Sequence, residues 1–500
     1  MKRCVIRAGC ALVLSLTLSS LLYAQTSTQQ VVIDATAPVH PFPHFWEHIF
    51  GSGRARLAMR ASYRNDLRSV KQITGAEYIR FHGIFLDDMG VYDEDAEGKP
   101  IYNFSYVDQV YDGLLQNGIR PYVEISFMPY KLASKDAIQA FWYKPNVSPP
   151  KDWDKWDDLV RAFTAHLVTR YGIDEVAKWY FEVWNEPNID FWAGEPKQET
   201  YWELYDHTAT TIKSVNSRLR VGGPSTAQTA WVGAFIQHCS EKHIPVDFVS
   251  THVYANDPVE KVFGTGENVP RDKFVCNALA NVHRQIKSSS SPELPLIVSE
   301  FNASYMTEPS ITDSIYMGPW MADTIRQCDG FVDEMSYWTF SDVFEEQGVI
   351  KQPFYGGYGL LAEGGIPKPA FSAFKLLHNL GNQRIAVDSD SVLATRSKEG
   401  KFEVAAWNLI APQEQGAPKT ISLKFEHFRP KQALISRVDH EHGDPHTAYE
   451  KIGSPRYPTQ AQYKDLIKST ELPPPQRVSI SNGELSITLP ADGLALIELR

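Results

Sequence analysis

Two glutamates stand out by where they fall in the chain. Phe181-Glu182-Val183-Trp184-Asn185-Glu186-Pro187-Asn188 and Leu296-Ile297-Val298-Ser299-Glu300-Phe301-Asn302 are apolar runs of strand character that each meet a carboxylate as the chain turns. A strand bearing an acid at its C-terminal end is how (β/α)8 barrels present reactive groups, because their active sites sit on that face. Two facing carboxylates are the smallest apparatus that cleaves a glycosidic bond: one protonates the leaving oxygen and the other attacks the sugar or activates water. Glu182, four residues before Glu186, sits too deep in its run for the first role and is expected as an interior structural carboxylate.

The surrounding pattern supplies the scaffold. Apolar runs of strand length end near Gly51, Phe81, Ile125, Val183, Gly222, His252, Glu300 and Trp338. Stretches of helical period lie between them, near Leu57–Ile73, Val107–Asn117, Asp157–Tyr171, Glu199–Val215, Trp231–Cys239, Asp272–Lys287 and Asp313–Cys328, and an eighth fits Pro369–Leu380. Strand and helix in alternation indicate a parallel sheet, and eight of each is the (β/α)8 count. Glu186 and Glu300 are 300 − 186 = 114 residues apart, three βα units, so they close strands four and seven and face each other across the mouth.

Beyond about Asn382 the pattern changes to strands joined by polar turns, with no helices expected between them: Val392–Arg396, Phe402–Asn408, Ile421–Phe425, Ala433–Val438, Val478–Ile480, Leu485–Leu489 and Leu494–Leu499. This reads as a β-sandwich. The resulting division is a signal peptide over 1–24, an N-terminal strand over 25–40 that pairs with the sandwich, a catalytic barrel over 41–381 and the sandwich over 382–500.

The signal rests on Lys2, Arg3 and Arg7 ahead of an apolar run from Ala8 to Leu22, too short to span a bilayer, with Ala24 as the cleavage residue. Export to the periplasm or the outside is expected, with no membrane association after cleavage. A net charge of −11 argues against nucleic acid or an anionic membrane as partner. Cys239, Cys276 and Cys328 remain after cleavage, an odd number at wide spacing that allows at most one disulfide, and none is expected. No metal or other cofactor is expected: His440, His442 and His446 with Asp439 and Asp444 lack ligand spacing.

The ordered motifs resemble glycoside hydrolase family 39, the β-xylosidase and α-L-iduronidase family. They are His44-Phe45-Trp46, Gly51-Ser52-Gly53-Arg54-Ala55, Tyr78-Ile79-Arg80-Phe81-His82-Gly83-Ile84, Trp184-Asn185-Glu186-Pro187-Asn188, Thr251-His252-Val253-Tyr254, Ser299-Glu300-Phe301-Asn302-Ala303-Ser304-Tyr305 and Tyr337-Trp338-Thr339-Phe340-Ser341-Asp342. The likeness runs from about residue 30 to the C-terminus, with Arg437-Val438-Asp439 and His442-Gly443 in the sandwich.

The resemblance implies a retaining double displacement, with Glu186 as acid/base and Glu300 as nucleophile. Alternation along a strand puts Arg80 with His82, and His252 with Tyr254. Arg80 or Tyr254 is expected to hydrogen-bond Glu300 and keep it ionised, and His82 and His252 to hold sugar hydroxyls. Asn185 is expected at the 2-hydroxyl and Trp338 as a stacking wall. The family also implies two acids shortly after that tryptophan, and Glu345-Glu346 fits, facing the outer hydroxyls. These readings together point to an exo-acting β-D-xylosidase on xylo-oligosaccharides. The alternatives are the same machinery on an α-L-iduronide or α-L-arabinoside, or a non-catalytic carbohydrate-binding protein. Oligomeric state is not legible.

Overall fold

Eight apolar runs form eight parallel strands that close into a barrel in sequential order. They are β1 (Ile49–Arg54), β2 (Tyr78–His82), β3 (Arg120–Ile125), β4 (Tyr180–Val183), β5 (Arg220–Thr226), β6 (Phe248–Tyr254), β7 (Leu296–Asn302) and β8 (Glu334–Tyr337). The computed structural model describes residues 27–500; the signal-peptide reading of residues 1–24 lies outside them.

Strand alternation fills the barrel in layers. Ile49, Tyr122, Phe248 and Ile297 form an apolar plug, with Tyr78 and Tyr180 packed against it. Two residues further along β2, β3 and β4, the same inward parity brings in Arg80, Glu124 and Glu182, all buried. Another step along β2 and two more along β6 reach His82, His252 and Tyr254. The interior therefore passes from apolar to fully charged to chemically equipped along the strand direction. The charged layer tolerates burial because its members pair with one another.

Apart from two short two-stranded hairpins, the remaining strands form two sheets around a separate apolar core that includes Val31, Ile33, Val404, Ile421, Leu423, Ile487 and Ile497. Ser27–Asp34 pairs in parallel with Lys419–Glu426, so the chain enters through the sandwich before it builds the barrel. Val39–Pro41 joins the other sheet beside Gln383–Ile385.

Two expectations fail here. The sandwich is not free of helices, since His446–Lys451 and Gln460–Ser469 interrupt it. The second carries a complete capping box between Thr459 and Gln462, a signal present in the sequence. It buries Leu466 with Tyr449 against Phe354, Ala362 and Ile366, tying the sandwich to the long segment after β8. The second failure concerns the cysteines, because Cys276 and Cys328 are bonded. They lie on the helices Arg271–Lys287 and Met317–Cys328, which pack together and bring the two Cα atoms to 4.9 Å, within bridging range. Wide spacing in sequence says nothing about that proximity. Cys239 is free and buried.

Candidate active site

The turn after β4 is built around left-handed backbone. Trp184 has φ +70° and Glu186 φ +46°, conformations that non-glycine residues adopt only when their surroundings fix them. The Trp184 indole N–H donates to the Phe191 carbonyl at 2.7 Å, and the Glu186 N–H donates to the Ser225 carbonyl at 2.8 Å. These anchors deliver the Glu186 carboxyl over the barrel mouth, three residues past the end of β4. Glu300 differs in origin: it lies inside β7, with Asn302 ending the strand.

Glu186 and Glu300 meet. Their nearest carboxyl oxygens, together with a nitrogen of His252, all lie within 4.8 Å of one another. This spacing leaves no room for an activated water between them and belongs to retaining rather than inverting geometry. Both carboxyls line one cavity of about 330 Å³ with Asn185, Tyr254, Trp338 and Glu346.

The two acids have opposite surroundings. Glu300 accepts from Arg80 Nη1 at 2.6 Å on one oxygen and from the Tyr254 hydroxyl at 2.7 Å on the other. Glu186 contacts His252 Nδ1 at 3.0 Å, and His252 is uncharged because burial, then Arg80 and His82, push its pKa well below the usual value. Burial raises both carboxyls. Glu186 is raised further by the charges of Glu300 and Asp257, whereas Arg80, His82 and the Tyr254 hydroxyl draw Glu300 back. Both are raised, Glu186 the more strongly, so a proton shared by the pair is favoured on Glu186 over Glu300. The three groups also have metal-ligand spacing, but both oxygens of Glu300 are taken by donors and the neighbouring Arg80 disfavours a cation.

Comparison with known proteins gives the chain a family. The profile of glycosyl hydrolases family 39 matches residues 29–482. The chain belongs to that family. A β-xylosidase of Geobacillus stearothermophilus is 38% identical over 474 residues, covering 92% of this chain and 93% of the relative. A monomeric β-xylosidase from Caulobacter crescentus CB15 superposes with a TM-score of 0.84 at 32% identity, covering 94% of this chain and 99% of that one. An α-L-iduronidase of Mus musculus is 25% identical over 249 residues, covering 44% of this chain and 36% of the relative. The protein is thus a retaining glycoside hydrolase with a (β/α)8 barrel and an appended sheet domain.

Within this family 39 site, Arg80 organises more than was expected of it. Besides Glu300 it donates to Glu182 at 2.6 Å and to the Asn185 side-chain oxygen at 3.0 Å, and it pairs with Glu124 at 2.8 Å. Asn185 thus points its amide oxygen at Arg80, which leaves its amino group for the cavity. Trp338 is set by a glycine, since a Cβ at Gly51 would lie 2.1 Å from its indole, so only glycine lets the ring lie against β1. His82 lines the cavity, with Nδ1 2.8 Å from Glu124 and Nε2 3.5 Å from Glu346. Burial alone would lower the pKa of His82, but these carboxylates hold it protonated, at about 10. Burial pushes Glu346 up to about 7, with His82 opposing.

Two assignments need correction. Glu345 does not line the cavity: it pairs with Arg60 at 2.7 Å and lies 3.6 Å from Arg54, because adjacent residues of the segment face opposite ways. His252 is not among the lining residues either. It sits beneath the carboxyls, with Nε2 3.1 Å from the Ser299 hydroxyl, so it supports Glu186 rather than a sugar hydroxyl. Sequence reasoning missed Glu124 and Asp257. Glu124 shares the inward parity of Tyr122, so alternation along β3 would have found it. Asp257 lies beyond β6, held by the Tyr254 N–H at 2.8 Å, and no local pattern marks it.

Proposed function

We propose that the protein releases xylose from the non-reducing ends of β-D-xylosides, with Glu300 as nucleophile and Glu186 as acid/base. The observation that carries this reading is the asymmetry of the pair, a doubly hydrogen-bonded carboxylate beside a carboxyl that keeps its proton. Glu300 attacks the anomeric carbon while Glu186 protonates the departing oxygen. Glu186, now ionised, then takes a proton from the water that cleaves the glycosyl–Glu300 ester and restores both groups. Asn185 and Glu346 supply hydrogen bonds to ring hydroxyls, and Trp338 forms the wall against which the pyranose rests.

The β-xylosidases that match over most of the chain support xylose. An iduronide is disfavoured by charge: among the described residues no Lys or Arg lines the cavity, and His82 is already flanked by Glu124 and Glu346. An α-L-arabinoside is the competitor to test directly. Hydrolysis of a nitrophenyl glycoside panel decides, with β-xyloside expected to dominate α-L-arabinosides, β-glucoside, β-galactoside and α-iduronide. Dominance of another member would overturn the sugar assignment.

The roles are tested by rescue. Glu300→Gly is expected to lose turnover and keep sugar affinity. Glu186→Ala is expected to keep activity on activated aryl glycosides far better than on unactivated ones, and azide should restore rate while retaining anomeric configuration. Equal loss on both substrates would refute the acid role.

Export is part of the same proposal. The charged start and apolar run of the sequence support it, and so does the Cys276–Cys328 bond, since disulfides persist in oxidising compartments.

A further inference from the structure

A second hollow opens on the mouth beside the catalytic cavity. Its volume is about 660 Å³, and Tyr130, Trp142, Tyr143, Asp87, Asp88 and Lys144 line it. Trp142 is 51% exposed and Tyr130 53%. Tryptophan is usually among the most buried side chains on average, so an indole left half in water beside a second exposed ring calls for a cause.

The hollow is built rather than loose. The Trp142 N–H donates to the Glu346 carbonyl at 2.8 Å, and its indole rests 3.6 Å from where a Cβ at Gly348 would stand. The Tyr130 N–H donates to the Asp87 carboxylate at 3.2 Å. Arg54 lies 5.1 Å over the Tyr143 ring and pairs with Asp88. The wall is shared with the active site, since Phe141 and Glu346 line the catalytic cavity while Trp142 and Tyr143 line this one.

We propose that this hollow is a saccharide-binding site distinct from the catalytic cavity, holding a pyranose of a xylan-type chain against Trp142 and Tyr130. The C–H faces of a pyranose lie flat on aromatic rings, and its hydroxyls can donate to Asp87 and Asp88 and accept from Lys144. An apolar protein surface would instead strip water from those charged groups without pairing them. The site would keep a polymeric substrate at the mouth while chain ends enter the neighbouring cavity. This inference rests on the β-xyloside reading.

The test uses the full chain carrying Glu300→Gly, electrophoresed through gels containing soluble arabinoxylan, with dextran as control. Retardation by arabinoxylan alone is expected, and adding Trp142→Ala and Tyr130→Ala should weaken it about tenfold, the scale of one or two lost aromatic contacts. Trp142→Phe should keep most of the retardation, which separates loss of the ring from loss of folding. With Glu300 restored, kcat/KM on nitrophenyl β-xyloside should stay within about twofold of the parent in the Ala variants, as the small substrate does not reach this hollow. Absence of retardation in the parent, or unchanged retardation in the double variant, would overturn the site. Failure of the substrate reading appears separately, as silence of the unmodified protein on the β-xyloside.

Discussion

Arg80 Nη1 stands 2.6 Å from Glu300 Oε1, and the same guanidinium serves Glu182, Glu124 and Asn185 from complete burial. A planar fork with five N–H donors meets all four acceptors at once; an ammonium cannot. Glu300 is therefore held by the same group that fixes the charged floor beneath it and Asn185 beside Glu186.

Replacing Arg80 by Lys tests that coupling. Arg80 opposes the burial that raises Glu300, so weakening the pair raises the pKa of Glu300, and a higher pH is needed to ionise it. Because lysine keeps the positive charge and loses only the fork, the acid limb of kcat/KM is expected to move upward by about one pH unit or less. A uniform fall in rate with an unmoved acid limb would show that Arg80 acts only on folding.

Asp257 sets the other limb. Its negative charge raises Glu186, after burial and Glu300, and burial holds Asp257 itself at about 7. Asp257→Asn keeps an acceptor for the Tyr254 N–H and removes the charge. The pKa of Glu186 then falls, so the alkaline limb of kcat/KM moves to lower pH, by about one unit or less for a single charge of three contributors. The shift should be the same with activated and unactivated glycosides when kcat/KM is followed across pH, since that profile reports the free enzyme, and an unmoved alkaline limb would refute the role of Asp257.

Much of this was legible before the structure. The eight barrel strands carry strong apolar runs, and the sequence marks Glu186 and Glu300 as the acids near the ends of two of them, although Glu300 proves to lie two residues inside β7 and Glu186 three residues past β4. Period-two reasoning also placed Arg80 and His82 on one face. It stopped where contact depends on distant chain. Glu345 and Glu346 are neighbours in sequence, and only the approach of Arg60 and Arg54 decides which one turns from the cavity. His252 has the parity of a cavity residue, yet the bend that lifts Glu186 over it puts it below the acids. Cys276 and Cys328 are joined by helix packing that no spacing rule encodes.

Lys368 holds the segment that carries Glu346. Its ammonium lies 2.6 Å from both Asp313 and Asp342, all three fully buried, and those aspartates accept from the Gly356 and Gly359 N–H groups. Lys368→Met leaves two carboxylates buried without a cation, which is expected to cost about 3–5 kcal/mol in urea unfolding. Because the same cluster fixes the segment after β8, KM should rise more than kcat falls. An unfolding midpoint equal to that of the parent would refute the role.

At the opposite end of the barrel, Glu47 links the start of β1 to His378, which ends the helix Pro369–Leu377. His44 Nδ1 lies 2.8 Å and His378 Nδ1 2.9 Å from one of its oxygens. Burial pushes this carboxyl up, but the two imidazoles outweigh it and bring its pKa from 4.5 to about 2, while His378 is raised above 6.5. The signs are opposite for the two partners. The depressed Glu47 stabilises the fold above pH 4.5 and loses that contribution as pH falls toward 2; the raised His378 contributes fully below 6.5 and loses it as pH rises through its folded value. Their joint contribution is therefore greatest between about 4.5 and 6.5. Glu47→Gln is expected to lower unfolding free energy by about 3 kcal/mol in that window, the linkage value of a shift of roughly two and a half units. Urea unfolding of both proteins at pH 5.5, 4 and 3.5 should show the gap shrinking as the medium grows more acid. A gap that stays constant through that range would mean that packing around residue 47, and not its charge, is what the substitution removes.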